Sequence, residues 1–339
     1  LQGRPEHLPD TECGEAVMKT QGDKNRKERG NRAMKYLIIG AGGTGGCIGA
    51  YMTEAGKDVT LIARGAHLAA IQADGLRMET TKKGNYTVKP VKAADMEHYG
   101  EQPDVVFVCV KGYSLKETVP FIRRVAGPET VVIPILNIYG TGGRLQEQLP
   151  ELLVTDGCIY IAAEIKEPGC LWQNGDIFRV VFGVRKPSEY RAVLAEVKKD
   201  LDDSGIAGIL SDNIQRDALQ KFSYVSPAAT CGQYYDAMAG EMQKPGKVRD
   251  TFAALIAEID ALAAAMGIHF ETDIVQTNLD ILDSLTPEAS TSMQRDVKKG
   301  KASEMDGLVF EVVRMGRKYG VKLPVYGKIA GELRQRGFS

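Results

Sequence analysis

The chain has almost no net charge and no long apolar run, and each shortage excludes a class of function. Its formal net charge is −1 over 339 residues. A balance so close to zero provides no basic surface for nucleic acid or for an anionic membrane. The apolar residues nowhere form a stretch long enough to cross a bilayer. The sequence therefore predicts a protein that binds neither nucleic acid nor membrane.

Histidine is scarce, and cysteine lacks the spacing of metal or redox motifs. The four histidines are His7, His67, His98 and His269. Each lies in a leader, surface-like or turn segment, where a structural or solvated role is predicted, so chemistry centred on a histidine acid or base is disfavoured. The six cysteines are scattered without C-x-x-C spacing, which is typical of reduced thiols in a cytoplasmic protein and predicts no metal site.

Residues 1–33 stand apart from the rest of the chain. They mix charges of both signs with few large apolar residues and lack the apolar core of a signal peptide. A disordered leader or an added extension is therefore predicted. The remaining length exceeds a typical single core, and we predict a dinucleotide-binding domain at 34–208 and a helical domain for substrate and catalysis at 209–339.

The clearest motif lies at residues 35–64. A short apolar run, Tyr36–Ile39, suits a strand buried on both faces, and three glycines follow in the pattern G-x-G-x-x-G. The first glycine permits a tight turn, the second lets the backbone approach a pyrophosphate, and the third lets the next helix pack closely on the strand. The predicted cofactor-binding residues of this turn are Gly40, Ala41, Gly42, Gly43, Thr44 and Gly45.

The residue after the second strand indicates which dinucleotide binds. A helix at Thr44–Ala55 and a strand at Val59–Ala63 complete a β-α-β unit, which Arg64 follows. Sites that prefer NAD usually place Asp or Glu there to accept from the ribose 2′-hydroxyl, whereas a guanidinium suits a 2′-phosphate. NADPH or NADP+ is therefore the predicted cofactor. The alternatives are an NAD site and an Arg64 that is only a solvated strand-end charge.

Two further buried strands are predicted at Val105–Val110 and Val131–Leu136, with helices between the strands. This alternation predicts an α/β fold of Rossmann type, a doubly wound and mostly parallel sheet. Ligands of such sheets bind outside the carboxyl ends of the strands. Lys111 and Asn137 follow these two strands, so we expect them to share a crevice with Arg64 and the glycine turn. A solvated lysine and a turn-forming asparagine are the alternatives.

The sequence pattern changes in the second half of the chain. Residues 154–183 have a β-like pattern with Gly, Asn and Pro turns that would extend or cap the sheet, and the domain boundary is placed at Gly205–Ser211. Beyond it the spacing is helical, which predicts a second, all-helical domain. Its predicted helices are Asp212–Val225, Lys247–Met266, Asp273–Ser284, Ser290–Lys299 and Ser303–Tyr319. Long amphipathic helices of this kind are also compatible with a homodimer.

A dinucleotide domain followed by a helical domain indicates hydride transfer, and reduction of a ketone then needs a proton donor. Lys221 is the predicted donor. It lies within Ala218–Tyr224, where apolar neighbours would desolvate the ammonium group and lower its pKa. A solvated helical lysine is the alternative.

Taken in order, several of these features resemble the ketopantoate reductase family. The resemblance covers residues 34–335 and is carried by the glycine turn, Lys111-Gly112, Asn137, Lys221-Phe222 and the segment Thr291–Asp306. It implies an NADPH-dependent reductase that converts 2-dehydropantoate, a small-molecule 2-keto acid, to (R)-pantoate in pantothenate biosynthesis.

The resemblance also implies roles for individual residues. The glycine turn would hold the pyrophosphate of the cofactor, and the strand-end arginine would hold its 2′-phosphate. Lys111 and Asn137 would lie along cofactor and substrate. Lys221 would be the general acid, and Ser292 would hydrogen-bond the substrate. Glu304 would lie beside the cofactor and either orient the catalytic lysine or accept from a substrate hydroxyl.

The chain departs from the family pattern around the substrate. Members of the family usually have asparagines one and two turns after the catalytic lysine, and this chain has Val225 and Ala229 at those positions. Two further positions that are asparagine in some members correspond to Ala239 and Ala289. Ile138 occupies a position where glycine is common. Losing amide groups favours an apolar substrate over a polar, hydroxylated one. A reductase of other branched or bulky 2-keto acids is therefore the first alternative, and an NADP-binding sensor without catalysis is the second.

Overall fold

The computed structural model describes residues 32–338, so the predicted leader lies outside the described residues except for its last two positions. There the Arg32 guanidinium donates to both carboxylate oxygens of Asp104, at 2.7 and 3.0 Å. The Lys35 N–H donates to the same carboxylate at 2.8 Å. The described chain thus enters the fold at the amino ends of the strands, opposite the edge where the predicted site lies.

A parallel sheet forms the centre of the first half. Its strands are β1 (Lys35–Ile39), β2 (Asp58–Ile62), β5 (Lys92–Ala94), β6 (Val105–Val108), β7 (Val131–Pro134) and β8 (Leu153–Val154). All neighbouring pairs are parallel, in the order β5-β2-β1-β6-β7-β8. The side chains of β1 alternate between two cores, with Tyr36 and Ile38 in one and Leu37 and Ile39 in the other. Burial on both faces explains the uninterrupted apolar run.

Helices cover both faces of this sheet. They are α1 (Gly43–Glu54), α2 (Gly65–Asp74), α3 (Leu115–Val125), α4 (Thr141–Gln148) and α5 (Val193–Asp203). Apolar residues of α1 and α5 join the core that contains Ile38, whereas those of α3 and α4 join the core that contains Leu37. Helices on the two faces of a parallel sheet confirm the predicted doubly wound α/β architecture.

The first half also contains a second, mixed sheet. It comprises β3 (Leu76–Thr80), β4 (Gly84–Val88), β9 (Asp156–Glu167), β10 (Cys170–Gly183) and β11 (Ala207–Leu210). The strands β9 and β10 form a long antiparallel hairpin, and β10 also pairs in parallel with β3 and β11. Leu171 and Phe182 of β10 belong to the same core as Tyr36. Residues 154–183 therefore cap the parallel sheet, and most of them do so as strands of a separate sheet.

Every regular element from Ile214 to the last described residue is helical. These elements are α6 (Ile214–Tyr235), α7 (Ala239–Gln243), α8 (Lys247–Ala265), α9 (Ile274–Asp283), α10 (Ser292–Lys298), a π-helical segment (Asp306–Phe310), α11 (Glu311–Tyr319) and α12 (Pro324–Gln335). The Asn213 side chain caps α6 by accepting from the Arg216 N–H at 3.2 Å. This helix continues past its predicted end at Val225, because Pro227 is accommodated inside it. Across residues 32–338, no helix has the length and apolarity needed to span a membrane.

Candidate active site

The three glycines of the motif meet three different steric demands. Gly40 has φ +101°, in the range that favours glycine, and turns the chain out of β1. A Cβ atom on Gly45 would lie 2.2 Å from the Gly40 carbonyl oxygen, so only glycine lets α1 pack this closely. A Cβ atom on Gly42 would meet nothing within 4 Å, so this side of the turn is open to a ligand.

The start of α1 presents backbone donors at this open side. The first hydrogen bond of the helix runs from the Gly46 N–H to the Gly42 carbonyl oxygen, at 2.7 Å. The N–H groups of Gly43, Thr44 and Gly45 therefore precede the helical ladder, at the positive end of the helix dipole. Such a terminus fits a pyrophosphate. The backbone of β9 forms a wall here, because a Cβ on Gly43 would lie 2.5 Å from the Ala163 carbonyl oxygen.

Arg64 lies at the same edge of the sheet. It follows β2 and occupies the N-cap position of α2. The carbonyl oxygen of Ile62, at the end of β2, accepts from the N–H groups of Gly40 and Ala41 at 3.1 and 3.0 Å, which brings the glycine turn next to the arginine segment. Arg64 is exposed, and no carboxylate within the described part of the chain pairs with it. Its guanidinium is thus available to an anion.

Lys111 joins the end of β6 to the helical half. Its Nζ atom lies 3.0 Å from Asp296 Oδ2 and 3.1 Å from Glu304 Oε2. The Gly112 N–H donates to the other oxygen of Glu304, at 3.1 Å. Burial lowers the pKa of Lys111, but the carboxylates of Glu304 and Asp296 outweigh that effect and raise the pKa above its ordinary value. Sequence reasoning gave Asp296 no role, although the residue lies in the segment that carried the resemblance.

Lys221 lies on α6 and faces the end of β7. Its Nζ atom donates to Asn137 Oδ1 at 2.7 Å. An ammonium group can only donate, so the amide oxygen of Asn137 must face it and the amide N–H groups are left for another partner. The same Nζ atom lies 5.6 Å from the ring centroid of Tyr160 on β9, a contact that the sequence did not indicate. Both Lys221 and Asn137 line a small pocket.

Burial lowers the pKa of Lys221, and the nearby Cys158 and Glu304 oppose the shift only in part. Glu304 acts on this lysine through charge, because its hydrogen bonds go to Lys111 and Gly112. The predicted crevice therefore contains two hydrogen-bonded pairs, and the charge of Glu304 links them. One pairs Lys221 with Asn137, and the other pairs Lys111 with Glu304.

Ser292 is the first residue of α10, directly after the capping residue Thr291. It is partly buried. Residues four apart on a helix share a face, so Ser292 lies on the face of α10 that also carries Asp296. None of the hydrogen bonds found among residues 32–338 joins it to Lys221 or Asn137, and its contact with substrate stays a prediction.

The departures from the family pattern have clear positions. Val225 and Ala229 follow Lys221 at intervals of four and so lie on the same face of α6; Ala229 is fully buried and Val225 partly so. Ala239 and Ala289 adjoin each other, with the Ala239 N–H donating to the Ala289 carbonyl oxygen at 2.9 Å. The helix face that continues from Lys221 is therefore apolar.

Ile138 fills the space between the two halves of the protein. A Cβ atom on Gly112 would lie 2.2 Å from Ile138 Cδ1, and one on Gly307 would lie 2.3 Å from the same atom. The isoleucine side chain thus occupies a gap that two glycines leave open. It belongs to the core of the helical half, although it follows a strand of the parallel sheet.

Comparisons with known proteins agree with this geometry. The family model described as Ketopantoate reductase PanE/ApbA matches residues 36–187, and its C-terminal counterpart matches residues 213–337. A 2-dehydropantoate 2-reductase of Mesorhizobium japonicum is 28% identical over 84% of this chain and 92% of its own length. The structure of a PanE/ApbA family ketopantoate reductase from Ralstonia eutropha is 25% identical, with a TM-score of 0.80 over 89% of this chain and 98% of that one.

A more distant structure shares the fold. It is the ternary structure of D-mandelate dehydrogenase with NADH and anilino(oxo)acetate, which is 21% identical, with a TM-score of 0.77 over 87% of this chain and 96% of that one. The two family models together cover most of the chain, in the order of its two halves. The chain therefore belongs to the ketopantoate reductase family and is an oxidoreductase of that family.

Proposed function

We propose that the protein reduces the 2-keto group of 2-dehydropantoate to give (R)-pantoate, with NADPH as the reductant. The observation that carries this proposal is the Lys221 ammonium, held 2.7 Å from Asn137 Oδ1 at the carboxyl end of β7. Burial lowers the pKa of this lysine, which makes the ammonium a stronger acid. A keto oxygen placed beside it would be polarised and then protonated.

The residues at the strand ends fit the cofactor. The turn from Gly40 to Gly45 would hold the pyrophosphate against the N–H groups of α1, and Arg64 would bind the 2′-phosphate. When bound, the reduced dinucleotide would supply the hydride for the carbonyl carbon. NADH is the alternative, and the NADH complex of D-mandelate dehydrogenase, which shares the fold, is a reason to assay both.

The proton for the reduction would come from a side chain of this protein. Lys221 donates its proton to the keto oxygen while the C=O double bond is reduced, and becomes a neutral amine. A neutral amine is easier to keep in a buried site than an ammonium group, so burial favours this donation. The Asn137 amide fixes the direction of the donor, which removes an orientation cost. Lys111 is held by Glu304 and Asp296 in its charged form, and therefore serves binding rather than proton transfer.

A second candidate is the reduction of branched or bulky apolar 2-keto acids with the same Lys221 chemistry. The favouring observation is the apolar face that α6 presents beyond the lysine, at Val225 and Ala229. A polar substrate that loses one buried hydrogen bond there would bind about 1–3 kcal/mol more weakly. An apolar substrate side chain would instead gain contact.

A parallel assay separates the candidates. NADPH and NADH oxidation would be followed with 2-dehydropantoate and with a series of apolar branched 2-keto acids, using Lys221→Ala as the control. Preference for 2-dehydropantoate, lost in the variant, supports the first proposal. Preference for an apolar 2-keto acid supports the second. Tight NADPH binding without turnover of any 2-keto acid would show a cofactor sensor and contradict both.

A further inference from the structure

His67 contacts the glycine turn and the second sheet at the same time. Its Nε2 atom lies 2.8 Å from the carbonyl oxygen of Ala41. On the other side of the ring, the Gly169 N–H donates to Nδ1 at 3.0 Å. One side chain of α2 therefore links the turn between β1 and α1 to the turn between β9 and β10.

These two contacts define the protonation state of the ring. Nδ1 accepts from a backbone N–H, so it carries a lone pair and no proton. The Ala41 carbonyl oxygen can only accept, so Nε2 must carry the proton and donate it. His67 is thus neutral, with the single N–H directed at the glycine turn. Protonation of Nδ1 would remove the acceptor for Gly169.

The contact with Ala41 orients the next donor along the chain. A trans peptide unit is planar, so its C=O and the following N–H point in opposite directions. Fixing the Ala41 carbonyl therefore fixes the direction of the Gly42 N–H. The Ala41 N–H is also held, by the Ile62 carbonyl oxygen at 3.0 Å. The turn is therefore anchored on both sides of Ala41.

The helix α2 that carries His67 is itself fixed in place. A Cβ atom on Gly169 would lie 2.8 Å from the Ala70 side chain, so the β9–β10 turn packs directly on the helix. The backbone of Arg64 occupies the N-cap position of the same helix, one turn before His67. The backbones of the two parts of the proposed cofactor site, the glycine turn and the strand-end arginine, are thereby held in one relative position.

We propose that His67 is a positioning residue for dinucleotide binding, whose neutral ring holds the Ala41 carbonyl and so directs the Gly42 N–H to the pyrophosphate. This inference rests on the proposed function in requiring a dinucleotide at the glycine turn. The contribution of His67 would be preorganisation, because its two hydrogen bonds restrict the conformations of the turn.

Two variants separate the two hydrogen bonds of the ring. The amide nitrogen of glutamine reaches the depth of Nε2, so His67→Gln keeps a donor for Ala41 and loses the acceptor for Gly169. The shorter amide of asparagine reaches only the depth of Nδ1, so His67→Asn keeps the acceptor and loses the donor. We expect His67→Asn to raise the KM for NADPH roughly fivefold to tenfold, with kcat little changed, and His67→Gln to leave this KM within about threefold.

The melting temperatures of both variants provide the control for a merely structural effect. If the effect were only structural, the rise in KM would follow the loss of Tm and would not depend on the position of the amide. Equal KM values in the two variants, or a fall in kcat with KM unchanged, would overturn the inference. If either variant fails to fold, nitrogen-15 NMR of the unchanged protein decides, because a proton found on Nδ1 contradicts it and a proton found on Nε2 supports it.

Binding of NADPH and NADH to the unchanged protein, followed by nicotinamide fluorescence, is measured first. Absence of binding would overturn both the proposed function and this inference. Binding to the unchanged protein with equal affinity for both variants would overturn the inference about His67 alone.

Discussion

The Nζ atom of Lys221 lies 2.7 Å from Oδ1 of Asn137, and this single hydrogen bond joins the helical half to the end of β7. The lysine comes from α6 and the asparagine from the loop that follows β7. Each partner restrains the other, because the ammonium selects the amide oxygen and the amide fixes the ammonium. The group proposed as the acid is therefore positioned by the half of the protein that would bind the cofactor.

Replacing Lys221 should remove catalysis without removing cofactor binding. We expect Lys221→Ala to lower kcat by about 10²-fold to 10⁴-fold, the usual contribution of a general acid. Lys221→Arg is the matched control: it keeps the positive charge but holds its proton too tightly to donate it. Both variants should bind NADPH as the unchanged protein does. Substantial turnover by the arginine variant would show that charge alone suffices and that Lys221 is not the proton donor.

The pH profile of kcat should report the titration of Lys221. A general acid works only when protonated, so kcat should fall as the pH rises through the pKa of this lysine. Because burial lowers that pKa from 10.5, the fall should be centred below this value. Asn137→Asp would place a carboxylate beside the ammonium, raise its pKa and move the fall to higher pH. A midpoint that does not move in Asn137→Asp would contradict the assignment.

Tyr160 should stabilise the charged form of Lys221 through its ring. The Nζ atom lies 5.6 Å from the ring centroid, within the range of a cation–π interaction of about 0.5–2 kcal/mol. Tyr160→Leu should therefore lower the pKa of Lys221 and move the basic limb of the kcat profile down by roughly 0.4 to 1.5 pH units. Tyr160→Phe keeps the ring and should behave as the unchanged protein. Equal shifts in both variants would attribute the effect to the hydroxyl group.

Arg64 should distinguish the two nicotinamide dinucleotides. We expect Arg64→Ala to raise the KM for NADPH about tenfold or more, as loss of a charge-assisted contact of about 1.5–3 kcal/mol implies. The KM for NADH should stay nearly constant, because this cofactor has no 2′-phosphate, and it serves as the internal control. A parallel rise in both KM values would mean that Arg64 supports the fold of the site instead of reading the phosphate.

The parallel sheet and its glycine turn could be predicted because their signals are local. The apolar run of β1 and the glycines after it are contiguous, and the strand ends placed Arg64, Lys111 and Asn137 at one edge by the geometry of parallel sheets alone. The contacts of these residues could not be predicted in the same way. Asp296 reaches Lys111, and Tyr160 reaches Lys221, across large separations in sequence, and no periodicity marks such pairs.

Two other features show further limits of prediction from the sequence. His67 was predicted to be structural or solvated because its segment is surface-like, and its contacts depend on Gly169 in a distant hairpin. The predicted helix ends at Val225, whereas α6 runs to Tyr235 and contains the buried Pro227, a residue that is usually costly in a helix interior. The partners of His67 and the full length of α6 both depend on tertiary packing, which the local sequence does not specify.

The position of Ile138 between Gly112 and Gly307 has a consequence for the order in which mutations can accumulate. A methyl group at either glycine would overlap the Cδ1 atom of Ile138, so Gly112→Ala requires the isoleucine side chain to shift, whereas Ile138→Gly removes the overlap. The effects of changes at these three positions are therefore not additive. A residue larger than glycine at 112 or 307 should therefore be tolerated better after residue 138 has become smaller, so the order in which these changes occur affects the stability of each intermediate sequence.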